Sequence, residues 1–324
     1  MTKAIRIHAH GGPEVLLWEE VNPGRPGPGQ ALIRQTAVGL NFIDVYHRTG
    51  LYPVASMPAI IGNEGAGVVE MVGDGVSHIR VGDRVTYCMS LGSYAERRVI
   101  DASCLVRVPD SITDQQAAAM MLKGCTVQYL LRRIYQIQQG DTILLHAAAG
   151  GVGLIACQWA KHLGATVIGT VGSDPKAQLA QEHGCDHTII YTRESVVDRV
   201  KELTDGVGVP VVFDSVGKDT FDASLDCLQP RGLMVSYGNS SGAVEPFGPG
   251  VLAAKGSLFL TRPTLASYIS TREELDATTA DLFEVVSSGA VKISVGRVFP
   301  LESAAEAHRE LEARETTGST ILAV

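Results

Sequence analysis

Polar and apolar residues alternate in short runs over the first third of the chain, and glycines and prolines interrupt these runs. Such a pattern is typical of β-strands joined by tight turns. We predict strands at Ala4 to His8, Gln30 to Val38, Gly67 to Val72, Asp83 to Cys88 and Tyr94 to Ile100. The chain up to about residue 120 is therefore predicted to form a small β-rich barrel or sandwich.

A different rhythm begins after a helix predicted at 114–134, because short apolar strands then alternate with helices. The strands are predicted at Thr142 to Leu145, Thr166 to Thr170, His187 to Tyr191, Val209 to Asp214 and Gly232 to Tyr237. This alternation favours an α/β fold with a doubly wound parallel sheet and helices on both of its faces. An edge strand, two helices and a final strand are predicted to follow, at Ser257 to Thr261, Arg272 to Ser288, Ala304 to Arg314 and Ser319 to Val324.

The run HAAAGGVG, from His146 to Gly153, lies between the first of these strands and an amphipathic helix. Gly150 and Gly153 take the second and third glycine positions of a dinucleotide-binding fingerprint, whereas Ala148 replaces the first. Glycines there bring the backbone close to a pyrophosphate, which the amides at the start of a helix can bind. A plain glycine-rich turn is the alternative for so short a motif, but the strand, turn and helix context favours a nucleotide site.

The stretch from Thr142 to Ala160 has no Asp, Glu, Lys or Arg and is about long enough to cross a bilayer. We interpret it instead as a buried βα unit. Two adjacent glycines, His146 and Gln158 interrupt it, and its apolar residues follow one face of a helix.

The composition of the 324 residues indicates a globular protein of about two domains. A formal net charge of −8 disfavours a protein whose main partner is a nucleic acid. The six cysteines form no CxxC pair, so we predict buried thiols rather than a metal cluster or disulfides. Because the first residues, MTKAIRIHAHGG, lack the apolar core of a secretory signal, we expect a cytoplasmic protein.

Several segments spread over the whole chain together resemble one family. They are GGPEVL from Gly11, GLNFIDVYHRTGLYP from Gly39, GNEGAGVV from Gly62, VGDRV from Val81, HAAAGGVGLIACQWAK from His146, DSVG from Asp214, SLDCLQPRGLMVSYGNSSGAV from Ser224 and TRP from Thr261. In this order they are similar to the medium-chain dehydrogenase/reductase superfamily, and within it to the NADPH-dependent, zeta-crystallin-like quinone oxidoreductases. The resemblance implies a GroES-like catalytic domain at 1–123, a Rossmann domain at 124–264 and a C-terminal segment at 265–324 that returns to the catalytic domain.

The end of the second Rossmann strand predicts NADPH rather than NADH as the cofactor. An NAD site usually places a carboxylate about 20 residues beyond the glycines, but none ends that strand here. Asp174 is a discordant carboxylate slightly further on, and we predict that it caps the helix that begins at Pro175. A solvated surface lysine is the alternative for Lys176. Groups that suit a 2′-phosphate are predicted at Gly172, Ser173, Lys176 and Tyr191.

Zinc-dependent members of the superfamily use a cysteine and a histidine at positions where this chain has Asn41 and Asn63. Neutral amides are poor zinc ligands, and the one carboxylate that remains, Glu64, cannot hold the metal alone. The four-cysteine structural zinc lobe is also missing, since only Cys88 lies between residues 85 and 103. We therefore expect no metal.

Hydride transfer to a quinone does not require a Lewis-acid metal, because the aromatic ring of the product stabilises its oxygens. The protein then has to position the acceptor and to donate hydrogen bonds to it. We predict Asn41, Tyr46 and Tyr52 as catalytic residues, with the two tyrosines as phenol donors and aromatic walls. Simple packing in a loop is the alternative for Tyr52.

The resemblance implies further contacts with the cofactor, and the carboxyl ends of parallel strands are where ligands collect in such sheets. Arg262 either reaches the nicotinamide region or joins a subunit contact. The implied contacts are Phe42, Ile43, Asp44, Val45 and Tyr46 beside the nicotinamide, Gly150, Gly151, Val152 and Gly153 at the turn, and Tyr129, Ser215, Tyr237, Gly238, Asn239, Ser240 and Arg262 elsewhere.

Two alternatives to an NADPH:quinone reductase stay open at this point. The same cofactor could reduce the conjugated double bond of an enal or enone, or the chain could bind NADPH in a structural or RNA-binding role. A partner is also predicted: Ala253 to Thr261 is apolar and lies near a sheet edge, so we expect a homodimer joined through the edges of the Rossmann sheets.

Overall fold

The computed structural model describes every residue from Met1 to Val324, and the chain divides into two units. The first unit contains Met1–Cys125, Ile269–Ser287 and Ile293–Val324. The second contains Thr126–Tyr268 and Ser288–Lys292. Most of the C-terminal segment therefore belongs to the first unit.

Sixteen strands form the sheets of the two units. In chain order they are β1 Thr2–Ile7, β2 Leu17–Val21, β3 Gln30–Leu40, β4 Ala59–Ile60, β5 Glu64–Val72, β6 Arg84–Cys88, β7 Arg97–Asp101, β8 Val106–Arg107, β9 Thr142–Leu145, β10 Thr166–Val171, β11 His187–Ile190, β12 Val209–Asp214, β13 Leu228–Ser236, β14 Phe259–Thr261, β15 Val295–Pro300 and β16 Ser319–Ala323.

Nine α-helices connect the strands. They are α1 Phe42–Thr49, α2 Asp114–Tyr129, α3 Gly151–His162, α4 Asp174–Glu182, α5 Val196–Leu203, α6 Phe221–Asp226, α7 Gly250–Ala254, α8 Arg272–Ser287 and α9 Ala304–Glu312. The helix predicted at 114–134 is α-helical as far as Tyr129 and continues as a π-helical turn over Leu130–Ile134. No helix is long and apolar enough to cross a membrane.

The first unit is built on two sheets, one of three strands and one of seven. In the larger sheet the strand order is β15-β16-β3-β5-β6-β8, and β7 also pairs with β3. The eleven-residue β3 is the centre of this sheet, and two register shifts in its ladder with β5 break the regular pairing. Apolar side chains such as Ile5, Val38 and Leu322 are completely buried and form one of the cores of this unit.

The second unit carries six parallel strands in the order β11-β10-β9-β12-β13-β14. The chain leaves β9 for β10 on one side and returns to β12 on the other, so the strand order reverses at β9. In open parallel sheets, ligands bind at the carboxyl ends of the strands at such a reversal. The α/β fold with a doubly wound parallel sheet and a separate β-rich unit, as predicted from the sequence, is confirmed.

Helix α1 is an element that the sequence patterns did not predict. Asn41 is its N-cap residue: the Asp44 amide donates to the Asn41 carbonyl, and the Asp44 carboxylate accepts from the Asn41 amide, both at 3.0 Å. The helix ends at Gly50, whose φ of +85° lies in the left-handed region that favours glycine. The predicted catalytic segment is therefore a short, doubly capped helix followed by a loop.

Candidate functional site

The glycine-rich turn of the second unit joins the end of β9 to the first turn of α3. A Cβ atom placed on Gly153 would lie 2.3 Å from the carbonyl oxygen of Ala147 and 2.5 Å from that of Ala148. Only glycine can be accommodated at this position, where the start of the helix packs directly against the carbonyl oxygens of the turn. Gly150 occupies the N-cap position and no side chain caps the helix, so no side chain occupies the first amides of α3.

The carboxyl ends of β12 and β13 bring together another group of predicted residues. The backbone amide of Tyr237 donates to the Asp214 carbonyl at 2.8 Å, and the amide of Ser240 donates to the Ser215 carbonyl at 3.1 Å. A Cβ atom on Gly238 would lie 2.5 Å from that same Ser215 carbonyl. These residues thus lie together at one end of the sheet, next to the strand that carries the glycine turn.

The residues predicted to bind a 2′-phosphate lie at the ends of the neighbouring strands β10 and β11. The Tyr191 hydroxyl lies close over Gly172, because a Cβ atom on that glycine would be 2.8 Å from it. Ser173 is the N-cap of α4, and Lys176 lies half-buried in its first turn. Gly172, Ser173, Lys176 and Tyr191 are therefore grouped at one end of the sheet.

The prediction that Asp174 caps α4 is wrong. The N-cap is Ser173, and Asp174 is the first helical residue. Its carboxylate lies 2.5 Å from the guanidinium of Arg193, a residue that the sequence patterns did not single out. The reason is that β11 runs parallel to β10, so the turn after β11 brings Arg193 beside the start of α4. Arg193 compensates the one negative charge in this group.

Tyr129 lies at the end of α2 and is buried. Its ring stacks on the ring of Tyr268 with the centroids 4.5 Å apart, and the guanidinium of Arg133 lies 5.1 Å from the centre of the Tyr268 ring. Burial raises the pKa of the Tyr129 hydroxyl well above its ordinary value, so it stays a hydrogen-bond donor. Arg262 is exposed, and its guanidinium donates to the Pro263 carbonyl at 3.0 Å.

In the first unit, the two amides Asn41 and Asn63 each donate to a buried carboxylate. Nδ2 of Asn41 donates to Oε1 of Glu64 at 2.7 Å, and Nδ2 of Asn63 donates to Oδ1 of Asp44 at 2.9 Å. Glu64 is completely buried, and it also accepts from the ammonium group of Lys123 at 2.9 Å. Both asparagines therefore act as hydrogen-bond donors held by carboxylates.

A second branch of this network runs from Asp44 to the protein surface. A guanidinium can only donate, so Arg48 donates to Nδ1 of His308 at 3.0 Å, and the proton of the neutral ring lies on Nε2. Nε2 then donates to the Tyr94 oxygen at 3.0 Å, and the Tyr94 hydroxyl donates to Oδ2 of Asp44 at 3.1 Å. Arg48 also forms a two-pronged ion pair with the half-buried Glu312.

Burial favours the neutral forms of the two titratable groups in this branch. It raises the pKa of Asp44 to about 7, against the hydrogen bonds from Asn63, Asn41 and Tyr94. Burial and, to a smaller extent, the positive charge of Arg48 together lower the pKa of His308 to about 3. A neutral His308 is what the hydrogen bond from Arg48 requires.

The aromatic residues predicted to face the acceptor form one cluster. The rings of Tyr46 and Tyr52 meet edge to face with their centroids 5.2 Å apart, and Phe42 lies 6.4 Å from Tyr46. The His47 ring also contacts Tyr52 edge to face, at 5.9 Å. Phe42, Tyr46 and Tyr52 are half-buried, whereas Val45 and Asp44 of the same helix face the core.

Sequence patterns missed several residues that hold these groups in place. Lys123, Tyr94 and His308 support the carboxylates of the first unit, Arg193 lies beside Asp174, and Tyr268 stacks on Tyr129. One signal was available: Asn41 and Asp44 have the spacing of a capping box and Gly50 that of a helix end, which together predict α1. The other contacts join residues far apart in the chain and leave no local pattern.

Comparisons with known proteins agree on one family over the whole chain. Residues 27–110 match the alcohol dehydrogenase GroES-like domain, and residues 151–284 match the family described as zinc-binding dehydrogenase. The chain is 54% identical to a quinone oxidoreductase of Pseudomonas aeruginosa, and the match covers 99% of each protein. It is 47% identical to a 2-haloacrylate reductase of a Burkholderia species, again over 99% of each.

A solved structure supports the same grouping. The crystal structure of the Escherichia coli quinone oxidoreductase complexed with NADPH is 51% identical in sequence. It superposes with a TM-score of 0.98, over 99% of this chain and all of that one. At this similarity the resemblance extends over both units.

Proposed function

This chain belongs to the quinone oxidoreductases of the medium-chain dehydrogenase/reductase superfamily, and we propose that it transfers hydride from NADPH to a quinone. The observation that carries this proposal is the glycine turn at the strand reversal, together with the groups suited to a 2′-phosphate at the end of β10. The family relationship supplies the acceptor class, because relatives of more than half identical sequence are named quinone oxidoreductases.

The second unit contains the groups that NADPH requires. Gly150, Gly151, Val152 and Gly153 would hold the pyrophosphate against the open amides of α3, where a side chain on Gly153 would collide with the turn. Gly172, Ser173, Lys176 and Tyr191 would hold the 2′-phosphate. Ser215, Tyr237, Gly238, Asn239 and Ser240 line the neighbouring strand ends, and Tyr129 and Arg262 are assigned to the nicotinamide side. When bound, NADPH supplies the hydride.

The first unit would bind and polarise the acceptor. Tyr46 and Tyr52 each offer a phenol hydroxyl that can donate to a quinone oxygen, and their rings form an aromatic wall for a planar acceptor. Asn41 is held by Glu64 and by the capping box, so its amide is fixed in orientation. Asp44 is completely buried, and we assign it to the support of Asn41 and Asn63. Hydrogen bonds that are already in place when charge develops lower the barrier most.

We further propose that the reaction needs no metal. The two positions that carry zinc ligands in zinc-dependent relatives are occupied by Asn41 and Asn63. Each donates a hydrogen bond from its amide nitrogen to a carboxylate, and the neutral carbonyl oxygen that remains is a poor zinc ligand compared with a thiolate or an imidazole. The chain therefore lacks the zinc ligands that the name of the zinc-binding dehydrogenase family, which residues 151–284 match, would suggest.

Reduction of an activated carbon–carbon double bond is the second candidate function. It is favoured by the 2-haloacrylate reductase relative, which is nearly as similar to this chain as the quinone oxidoreductases are. Both reactions deliver hydride to an electron-poor carbon, so the same cofactor groups serve either. The aromatic cluster of Phe42, Tyr46 and Tyr52 favours the planar quinones.

Steady-state oxidation of NADPH with a panel of acceptors tests this proposal. The panel contains para- and ortho-quinones, alkenals and 2-haloacrylate, and we expect the highest kcat/KM with a quinone. Tyr46→Phe and Tyr52→Phe keep the ring and remove the hydroxyl, so each should lower kcat about tenfold with quinones. Turnover confined to alkenals or 2-haloacrylate would contradict the quinone assignment and support the second candidate.

We also propose that the chain forms a homodimer through β14 and acts in the cytoplasm. Strand β14 is at one end of the six-stranded sheet, and Phe259 on it is 62% exposed. An exposed, apolar edge strand readily pairs with a copy of itself. All six cysteines are free and five of them are buried, which suits a reducing compartment.

A further inference from the structure

His146, the first residue of the glycine-rich run, is a buried titratable group that hydride transfer does not use. It follows β9 directly and is 1% exposed. Burial lowers the pKa of its imidazole, so the ring is neutral at physiological pH. Both ring nitrogens lie within hydrogen-bond distance of a hydroxyl: Nδ1 is 3.0 Å from Oγ1 of Thr170, and Nε2 is 2.9 Å from Oγ of Ser224.

The carboxylate of Asp214 fixes the direction of these hydrogen bonds. Its Oδ1 accepts from two backbone amides, those of Val216 at 2.7 Å and Gly217 at 3.1 Å. Its Oδ2 accepts from the hydroxyls of Thr220 and Ser224, both at 2.7 Å. Asp214 is completely buried, and with four donors around it the carboxylate is fully occupied.

The Ser224 hydroxyl has a single proton, which it donates to Asp214. Towards His146 the Ser224 oxygen can therefore only accept a hydrogen bond. The proton of the neutral imidazole must then lie on Nε2. Nδ1 carries a lone pair and accepts a hydrogen bond from the Thr170 hydroxyl. The chain of donors runs in one direction from Thr170 through His146 and Ser224 to Asp214. It joins the ends of β10, β9 and β12 to helix α6.

Thr170 is the point at which this chain reaches the glycine turn. Its carbonyl accepts from the amide of Ala148 at 3.0 Å, and its hydroxyl oxygen accepts from the amide of Ala147 at 3.4 Å. Ala147 has a φ of +55°, a left-handed conformation that is uncommon for a residue with a side chain. The carbonyls of Ala147 and Ala148 are the ones against which Gly153 packs, so their placement sets the first turn of α3.

We propose that Thr170, His146, Ser224 and Asp214 form a positioning relay that holds the dinucleotide-binding turn in its binding conformation. This inference rests on the proposed function, because it assumes a dinucleotide at that turn. None of the four side chains is assigned a contact with the ligand. The relay affects the affinity for the part of the dinucleotide that NADPH and NADH share. The residues at the ends of β10 and β11 that would bind the 2′-phosphate determine the preference for NADPH over NADH.

Two substitutions of Thr170 separate the relay from simple packing. Thr170→Val keeps the shape of the side chain and removes the hydroxyl, whereas Thr170→Ser keeps the hydroxyl and serves as the matched control. We expect Thr170→Val to raise the Kd for NADPH and NADH about tenfold, by the same factor for both. The KM for the quinone and kcat at saturating NADPH should stay close to wild type, as should the Kd values of Thr170→Ser.

The tautomer of His146 gives a test that does not depend on turnover. In ¹⁵N-detected NMR of the full chain, with His146→Gln used for assignment, we expect a neutral ring protonated on Nε2. Ser224→Ala should release this constraint and give a mixture of tautomers together with weaker dinucleotide binding. This measurement also remains available where Thr170→Val does not fold.

Three results would overturn the relay: unchanged dinucleotide Kd values in Thr170→Val, equal losses in Thr170→Val and Thr170→Ser, or a wild-type ring protonated on Nδ1. Failure of the wild-type chain to bind either dinucleotide contradicts the proposed function instead. The tautomer measurement then still tests the hydrogen bonds themselves.

Discussion

Asp44 and His308 lie in the same buried hydrogen-bonded branch, and burial favours the neutral form of each. The pKa of Asp44 is raised to about 7, whereas that of His308 is lowered to about 3. In the unfolded chain, over part of the acid range, both groups are charged at pH values where they are neutral in the folded chain. Their contributions to the pH dependence of stability therefore have opposite signs.

Folding stability should reveal these two contributions separately. From about pH 4 to 7, Asp44 keeps a proton in the folded chain that the unfolded chain has released, so its contribution to the free energy of unfolding falls as pH rises. Below about pH 6.5 only the unfolded chain protonates His308, so its contribution falls as pH decreases.

Urea unfolding of Asp44→Asn and His308→Gln between about pH 4.5 and 6.5 checks this prediction. Removing Asp44 should leave a chain that loses stability towards acid more steeply than wild type. Removing His308 should leave one that loses stability as pH rises, and each slope is at most about 1.4 kcal/mol per pH unit. Identical slopes in the two variants would contradict the assignment.

Arg193 should support the preference for NADPH through Asp174. The pair is exposed, so its energy is small, and we expect Arg193→Gln to raise the KM for NADPH roughly fivefold or less while the KM for NADH stays the same. The loss should shrink in the Asp174→Asn background, where no carboxylate needs to be neutralised. Steady-state kinetics of the wild type, the two single variants and the double variant measures this, and an equal loss with NADH would show that Arg193 acts elsewhere.

Single residues could be predicted from the sequence only where a local motif names them. The glycine positions follow from the first βα unit of the sheet, and the grouping of Gly172, Ser173 and Tyr191 follows from counting along the next βαβ unit. The branch through Tyr94 and His308 joins residues that are 214 positions apart, and it depends on the tertiary fold. A lone histidine in a helix gives no sign of such a partner.

At the scale of elements, the second unit follows its sequence closely. Strands β9 and β12 have the predicted bounds, because a short apolar run between turn residues has little freedom to shift. The first unit is less regular: β4 and β8 have only two residues each and carry too short a pattern to predict. Helix α1 was missed because its signal lies in its caps and not in its apolar spacing.

The turn between β9 and α3 gives a prediction at this scale. Gly153→Ala places a methyl group 2.3 Å from the Ala147 carbonyl, so the turn has to move. Overpacking of this kind costs about 1–3 kcal/mol, and we expect the Kd for NADPH to rise by at least about tenfold. Gly248→Ala is the control, since Gly248 lies in the same unit outside the turn and a Cβ atom on it meets nothing within 4 Å. A Gly153→Ala protein that binds NADPH normally would contradict the role of the turn.

At the level of the whole molecule, the two units are not contiguous in the chain, because each contains residues from separate segments. Residues from both ends of the chain build the first unit, since β16 pairs with β3 and α9 supplies His308 to the network around Asp44. The resemblance to a known family implied this return of the C-terminal segment. Hydrophobic periodicity alone did not predict it, because the period identifies a helix or a strand but not the elements against which it packs.

The proposed dimer is tested at this scale. Phe259→Arg places a charge on the exposed face of β14, where pairing with a second copy would bury it, so we expect a monomer. Val207→Arg is the control, because Val207 is 59% exposed in the same unit and outside any strand. Light scattering at micromolar concentration gives the mass, and a dimer that survives in Phe259→Arg would exclude this edge.

Above all, we propose that this chain uses NADPH to reduce a quinone. The most direct measurement is kcat/KM for NADPH and for NADH with one soluble para-quinone under anaerobic conditions, with quinol formation followed in parallel. We expect NADPH to be preferred by at least about tenfold, with one quinol formed for each NADPH oxidised. Equal kcat/KM with NADH, or NADPH oxidation without quinol formation, would contradict this activity.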